Sequence, residues 1–439
     1  MVIIIMDYMA PFSFVYNNTR YCGFDASFKE TDRSESENAI YTDRAVTLHH
    51  DVSGVDFVCH MRLNKKYDAC EWTVIMQNNK NTVTDVFSEI YAVDMDFKGK
   101  MPVLNGIHGD LGDMYGPYAV DLSVPGSDVV QESVSGRPTH GNFPYYNLQY
   151  GDGGTFIAMG WPGTWKMAFR HISDDTVHLT GGQRNVACRL LPGETLRLPL
   201  IVMLNYKGRD LYAAMNLWRH WFIECNMRWV DGRSDSERNV NNVPFSPVLS
   251  TSQLGQGADA EYFIRKHRAF TEHDIPLDYM WIDAGWYTNC KGETCPWPET
   301  GTLDVDRSRY AKGFCDISDD MAASGAGTLL WFEPEVVRQD KEAYLAATPC
   351  FKREWMLGTA MKGTWLEGQL LDYGNPDFRD WLFDKITSIL DKGHIKLYRQ
   401  DFNVDPAPVW AECDSAAGPD RNGITENSMS AVISRSGML

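Results

Sequence analysis

No stretch of the sequence approaches the ~20 consecutive apolar residues of a membrane-spanning helix. The apolar run at the start, Val2 to Ile5, is short, has no basic leader before it and is soon followed by acidic Asp7, so it does not read as a secretion signal. A cytoplasmic location is the expectation. CxxC pairs are missing too, and the ten cysteines are spread from Cys22 to Cys413 without dense spacing. That pattern argues against a zinc ribbon or a disulfide scaffold and for a reducing compartment. Cys290 and Cys295, in the loop CKGETC, could be bridged or line a pocket, and neither is assigned a role. No Lys/Arg stripe interrupts the net charge of −18, which would repel a phosphate backbone and so excludes nucleic acid as a partner. No Gly-rich loop leads into a helix with a Lys behind it, the usual cradle for a nucleotide phosphate.

What is present is ordinary for a soluble globular chain: 44% hydrophobic and 23% charged residues with no low-complexity tract. A length of 439 residues exceeds what one core usually organises, so more than one domain is expected. From Pro11 to Leu204 the sequence reads as short alternating segments, such as Val55 to Arg62, Glu71 to Gln77 and Thr155 to Met159. Gly151 to Gly154 and Asn78-Asn79 are the expected hairpin turns. This is the pattern of a β-sandwich. Between Asp210 and Asn226 the period changes, with Leu211, Ala214, Trp218, Trp221 and Phe222 on one helical face, and the polar stretch 231–242 reads as a linker.

From Val248 onward strand-like runs alternate with helices, as in a parallel βα architecture. Four strands are expected, Val248 to Ser252, Tyr279 to Asp283, Thr328 to Glu333 and Ile395 to Asp401. Asp259 should cap a helix that buries Phe263, Ile264, His267 and Phe270. Asn375-Pro376 should open another that Gly393 closes. Pattern alone leaves a barrel and a doubly wound sheet open. The predicted organisation is a sandwich over 1–209, a linking helix and linker over 210–245, and a barrel-type domain over 246–439.

Three of these strands finish in carboxylates: WIDAGW at Asp283, LLWFEPE at Glu333 with Glu335 behind it, and LYRQDFN at Asp401. Acids at strand C-termini can face a pocket, whereas in the strand bodies they would be buried. Trp281, Trp286, Tyr287, Trp331, Phe332, Tyr398 and Phe402 flank them, and carboxylates among aromatic plates suit a pyranose, with its apolar C–H faces and rim of hydroxyls. Trp281 and Phe332 alternate with strand neighbours and read more readily as core. Asp401, two residues from Arg399, also admits a plain ion-pair reading. Glu335, after Pro334, could be a helix-start carboxylate.

The runs IDAGWY, LLWFEPE, LDYGNPDFRDWL and YRQDFN resemble successive signatures of glycoside hydrolase family 36 α-galactosidases, in that family's order. GRPTHGNFPYYNLQYGDGGTFIAMGWPGTW resembles the family's N-terminal sandwich. The resemblance runs from about Pro11 to about Asn427. It implies an N-terminal β-sandwich followed by a (β/α)8 TIM-type barrel, and a retaining hydrolase of terminal α-linked galactose in oligosaccharides or glycoconjugates. It further implies no metal or organic cofactor, and possible homo-oligomers. By that similarity Asp401 is the nucleophile, Asp283 binds galactose hydroxyls, Trp331 packs on the sugar, and Arg399 contacts hydroxyls and holds Asp401 ionised. Asn403 positions the 2-hydroxyl, and Glu333 belongs to the substrate-binding set. Ala284 stands where many members have a second Asp, which leaves galactose against N-acetylgalactosamine open.

After Asn403 only 36 residues remain (439 − 403), while four further βα units of roughly 30 residues each would be needed to close eight strands. The expectation is therefore an incomplete barrel lacking the acid/base Asp of the family's sixth strand, with SMSAVISRSGML resembling nothing in it. An open half-barrel with unpaired edges should associate, and hydrolysis by the isolated chain should be negligible. A non-catalytic carbohydrate-binding fragment and an α-N-acetylgalactosaminidase are the alternatives.

Overall fold

The computed structural model describes residues 10–23, 25–227 and 250–436. The chain divides into two compact units, Met1–Phe245 with Trp410–Leu439, and Ser246–Val409.

The first unit is built on a β-sandwich. A ten-stranded antiparallel sheet runs from Pro117–Asp121 at one edge to Phe28–Glu37 at the other, and a four-stranded sheet contains Val129–Ser133, Trp165–Ser173, Thr176–Gln183 and Val93–Lys98. The strands form as the alternation predicts, because successive side chains point to opposite faces. In Gly153–Gly160, Ile157 and Met159 enter the inter-sheet core with Trp72, Phe57, Leu148, Met167, Phe169 and Leu179. Phe156, on the opposite face, packs with Val202, Leu204, Ala214 and Trp221. That outer face is covered by the helix Leu211–Trp221, capped by Asp210 through the amides of Tyr212 and Ala213. Gly151 and Asp152 form the expected tight turn, closing Tyr150 onto Gly153, and Gly151 takes the left-handed φ of +59° that favours glycine.

The other hairpin expectation is corrected. Asn78-Asn79 joins no two-residue hairpin, since the strand Ala69–Gln77 pairs with Val55–Asn64, Leu200–Lys207 and Thr195–Arg197 instead. Asn78 is buried, and its amide holds the carbonyls of Thr82, Leu190 and Leu191. The linker expected at 231–242 lies outside the described residues.

The C-terminal segment groups with the sandwich unit, which differs from the expected 246–439 boundary. Arg421–Asn422 adds a short strand to Ala187–Cys188, and Arg421 pairs with Glu194. Buried Glu426 accepts from Trp161 Nε1, Thr164 N and Thr164 Oγ1, while Asn427 bonds both Gln183 and the Arg197 backbone. Polar groups that deeply buried have to be satisfied by partners, and these are, which fixes the segment's register.

The second unit is built on four parallel strands in chain order, Ser250–Leu254, Tyr279–Asp283, Gly327–Phe332 and Leu397–Gln400. Each expected strand is present within a few residues; positions 248 and 249 lie outside the described residues. Helices Ala260–Glu272, Cys315–Ala322 and Pro376–Lys392 connect them. Asp259 caps the first through Tyr262 N. Asn375 caps the last through Asp377 N and Phe378 N, with Pro376 inside its start and Gly393 at its end. One sheet face, with Met280, Ile282, Thr328, Leu330 and Phe332, is fully buried. The other carries Trp281, Asp283, Trp331 and Arg399, and on it Leu254 and Leu397 are exposed. A small antiparallel sheet of Val336–Val337, Met356–Ala360 and Gly368–Leu371 follows the third strand and was not anticipated.

The candidate active site

Period-2 alternation sets the site. Trp331 and Arg399 are register partners on the open face, and Asp401 lies one pleat beyond Arg399, just past the end of its strand, where its amide still bonds Phe332 O at 2.8 Å. Asp283 ends its own strand and accepts from Ala284 N at 2.7 Å.

Asp401 is the focus of donors. Its Oδ2 accepts from Trp331 Nε1 at 3.0 Å and from Asn403 Nδ2 at 3.0 Å. Its Oδ1 accepts from Phe402 N at 3.1 Å and lies 3.8 Å from the Arg399 guanidinium. Partial burial alone would raise the Asp401 pKa, but the bonds from Trp331, Asn403 and Phe402 and the charge of Arg399 outweigh it and hold the carboxyl below its ordinary value. About a third of the side chain remains exposed, so an ionised, oriented carboxylate faces outward. Arg399 is anchored from the other side by its position over the Trp281 ring, 5.1 Å from the centroid.

Trp331 is only 1% exposed. Its ring stacks on Tyr287 at 6.3 Å and its carbonyl receives Trp286 Nε1 at 2.8 Å, so the indole is a fixed hydrogen-bond donor with little free face for a sugar. Glu333, grouped by sequence with the substrate contacts, is fully buried. Arg338 donates to both of its oxygens, and Asn403 N donates to Oε1 at 3.2 Å. Its carboxylate therefore organises the loops behind the site and presents no surface to a ligand.

Sequence reading missed Arg338 and the surroundings of Glu335. Glu335 is buried and accepts from Gln400 Nε2, and among the described residues its Oε2 and the buried Tyr373 hydroxyl have no hydrogen-bond partner. Burial pushes the Glu335 carboxyl up to about 8, with the Gln400 bond opposing and the neighbouring Glu333 and Asp401 carboxylates adding to the rise. The available signal was spacing alone, since Arg338 follows Glu333 by five residues.

A second constellation in this unit has the donor order of a hydrolytic triad. His267 Nδ1 meets Asp320 at 2.7 Å and its Nε2 meets Ser324 Oγ at 2.7 Å. Ser324 Oγ also donates to Met321 O at 3.0 Å, just beyond the C-terminal end of the helix Cys315–Ala322. A helix C-terminus disfavours a developing oxyanion, so this cluster fastens two helices together.

A model of the glycosyl hydrolases family 31 TIM-barrel domain matches residues 249–430, less than half of the chain. The bifunctional α-galactosidase/sucrose kinase of Mediterraneibacter gnavus is 25% identical over 226 residues, 51% of this chain and 22% of that protein. Among solved structures, the family 36 α-galactosidase AgaB of Geobacillus stearothermophilus superposes with a TM-score of 0.73 at 14% identity, covering 97% of this chain and 58% of that one. A variant of AgaA from the same organism, solved with stachyose, gives 0.72 at 16% identity, covering 98% and 60%. This chain thus spans little more than half of those solved chains and about a fifth of the curated relative. Over that span, the fold is the one the family 36 α-galactosidases have: an N-terminal β-sandwich, then parallel strands of a barrel-type domain.

Proposed function

We propose that the second unit carries the nucleophile half of a retaining α-galactoside hydrolase site of the family 36 type. The observation that carries the reading is the donor set on Asp401: two bonds to one oxygen, a backbone amide and a nearby guanidinium on the other. In a retaining mechanism the ionised carboxylate attacks the anomeric carbon as the glycosidic C–O bond breaks, and water then cleaves the glycosyl ester. Donors that keep Asp401 ionised and aimed serve that step. Asp283 is assigned to the sugar hydroxyls, Arg399 to hydroxyls and to the charge of Asp401, and Asn403 to the hydroxyl beside the anomeric carbon. Related enzymes solved with stachyose and with raffinose support α-galactoside oligosaccharides as the substrate class.

A retaining site also needs a second carboxyl about 5 Å away to protonate the leaving oxygen. Glu333 is locked by Arg338, and Glu335 is buried behind the strand ends, so neither is assigned that role. Among the described residues the proposed half-site is thus assigned a nucleophile and no proton donor, and leaving groups that depart without protonation are the ones it should serve, since general-acid assistance is worth roughly 10²- to 10⁴-fold.

The test is a panel of aryl glycosides with good leaving groups. Negligible hydrolysis, the expectation from sequence, is kept for melibiose, whose leaving group needs a proton. The ionised, part-exposed Asp401 revises it for the aryl α-galactoside, which is expected to release phenol slowly while the β-galactoside, α-glucoside and α-N-acetylgalactosaminide stay intact. Equal release from all four aryl glycosides, or none from any, would refute the assignment.

A further inference from the structure

We propose that Arg338 is a positioning residue for Asp401, acting through Glu333 and the backbone of Asn403; this rests on the reading of Asp401 as the nucleophile. Arg338 is buried and gathers three segments. Its Nη1 and Nη2 grip the Glu333 carboxylate at the end of the third parallel strand. Nη2 also donates to Asn403 O at 3.1 Å, just past the fourth strand, and Nε donates to Leu366 O at 3.2 Å. Glu333 returns to the same loop by accepting from Asn403 N at 3.2 Å. Both backbone polar groups of Asn403 are therefore held by one buried ion pair, and the Asn403 side chain donates to Asp401 Oδ2 at 3.0 Å.

This arrangement is more than a fold staple. A buried pair gives little net stability over an apolar pair, yet its fork geometry fixes direction well, because a planar guanidinium offers bonds only in its own plane. The quantity fixed here is where the Asn403 amide points. Released from Arg338, Asn403 would lose one of its two backbone anchors and Asp401 one of its donors.

The experiment is a ¹³C titration of the Asp401 carboxyl in the full chain, assigned by its absence in Asp401→Asn. In Arg338→Met the midpoint is expected to rise by about one pH unit, the scale of one hydrogen bond to a charged group. Arg338→Lys, which keeps the charge but not the fork, should lie between. Arg338→Met alone strands Glu333, so Glu333→Gln/Arg338→Met serves as the variant that retains the fold, and the same upward shift is expected there. A loss of stability without a shift is the mark of a purely structural role. An unchanged midpoint in the folded double variant and in Arg338→Lys would overturn the proposal. The titration is read whether or not the chain turns over substrate. Failure of the parent chain to react with an activated galactoside would thus count against the functional reading alone.

Discussion

The indole nitrogen of Trp331 lies 3.0 Å from Oδ2 of Asp401, which makes a nearly inaccessible aromatic ring a fixed donor to a part-exposed carboxylate at the strand ends. The ring cannot swing away, because Tyr287 packs on its face and Trp286 holds its carbonyl.

Replacing Trp331 with Phe removes that donor and keeps most of the packing. The Asp401 midpoint is expected to rise by about one unit. Arg399→Met should move it less, since that guanidinium is 3.8 Å away and partly exposed, where water screens the pair. A ¹³C titration of both variants checks the order, and a larger effect from Arg399→Met would contradict it.

Glu335 predicts a pH dependence of stability. Its carboxyl is raised to about 8 by burial, whereas an unfolded Glu titrates near its ordinary value of 4.5. Between those values the native chain binds the extra proton, so stability falls as pH rises through the window, by on the order of 1.4 kcal/mol per unit. Below 4.5 both states are protonated and the contribution is flat. Glu335→Gln should remove this share of the slope in denaturation midpoints taken from pH 5 to pH 8.5. A slope unchanged by the substitution would refute the assignment.

Glu426 anchors the C-terminal segment to the sandwich. Glu426→Ala leaves Trp161 Nε1 and the Thr164 amide and hydroxyl buried without their acceptor. The expected cost is roughly 3 kcal/mol or more in chemical denaturation, with exchange protection lost first around Thr164 and Arg197. A change below about 1 kcal/mol would show that the segment is held by other contacts.

The sequence made the strand ends legible because two independent signals coincide there, an apolar run and a terminal carboxylate; Asp283, Glu333 and Asp401 all fall within one residue of a strand terminus. Helix limits at Asp259, Asn375 and Gly393 were legible for a similar reason, since capping is a local interaction. The role of Glu333 was not. A carboxylate at a strand end reads the same whether it faces ligand or an arginine, and the fork of Arg338 comes from a loop whose path the flanking proline alone does not set. Asn78-Asn79 misled because turn-forming residues also serve as buried amide clasps, which depends on partners more than a hundred residues away. The placement of Trp410–Leu439 with the sandwich unit rests on equally distant contacts, Glu426 with Thr164 and Asn427 with Arg197, and no periodicity announces them.

The most direct test of Asp401 as nucleophile is covalent capture. The full chain and its Asp401→Asn variant would be incubated with a galactose-configured 5-fluoroglycosyl fluoride, whose fluoride leaves without a general acid, and then digested for peptide mass mapping. The account predicts one galactose-derived adduct, on Asp401, slowed by free galactose and absent from the variant. An adduct on another carboxylate, or equal labelling of the variant, would contradict it.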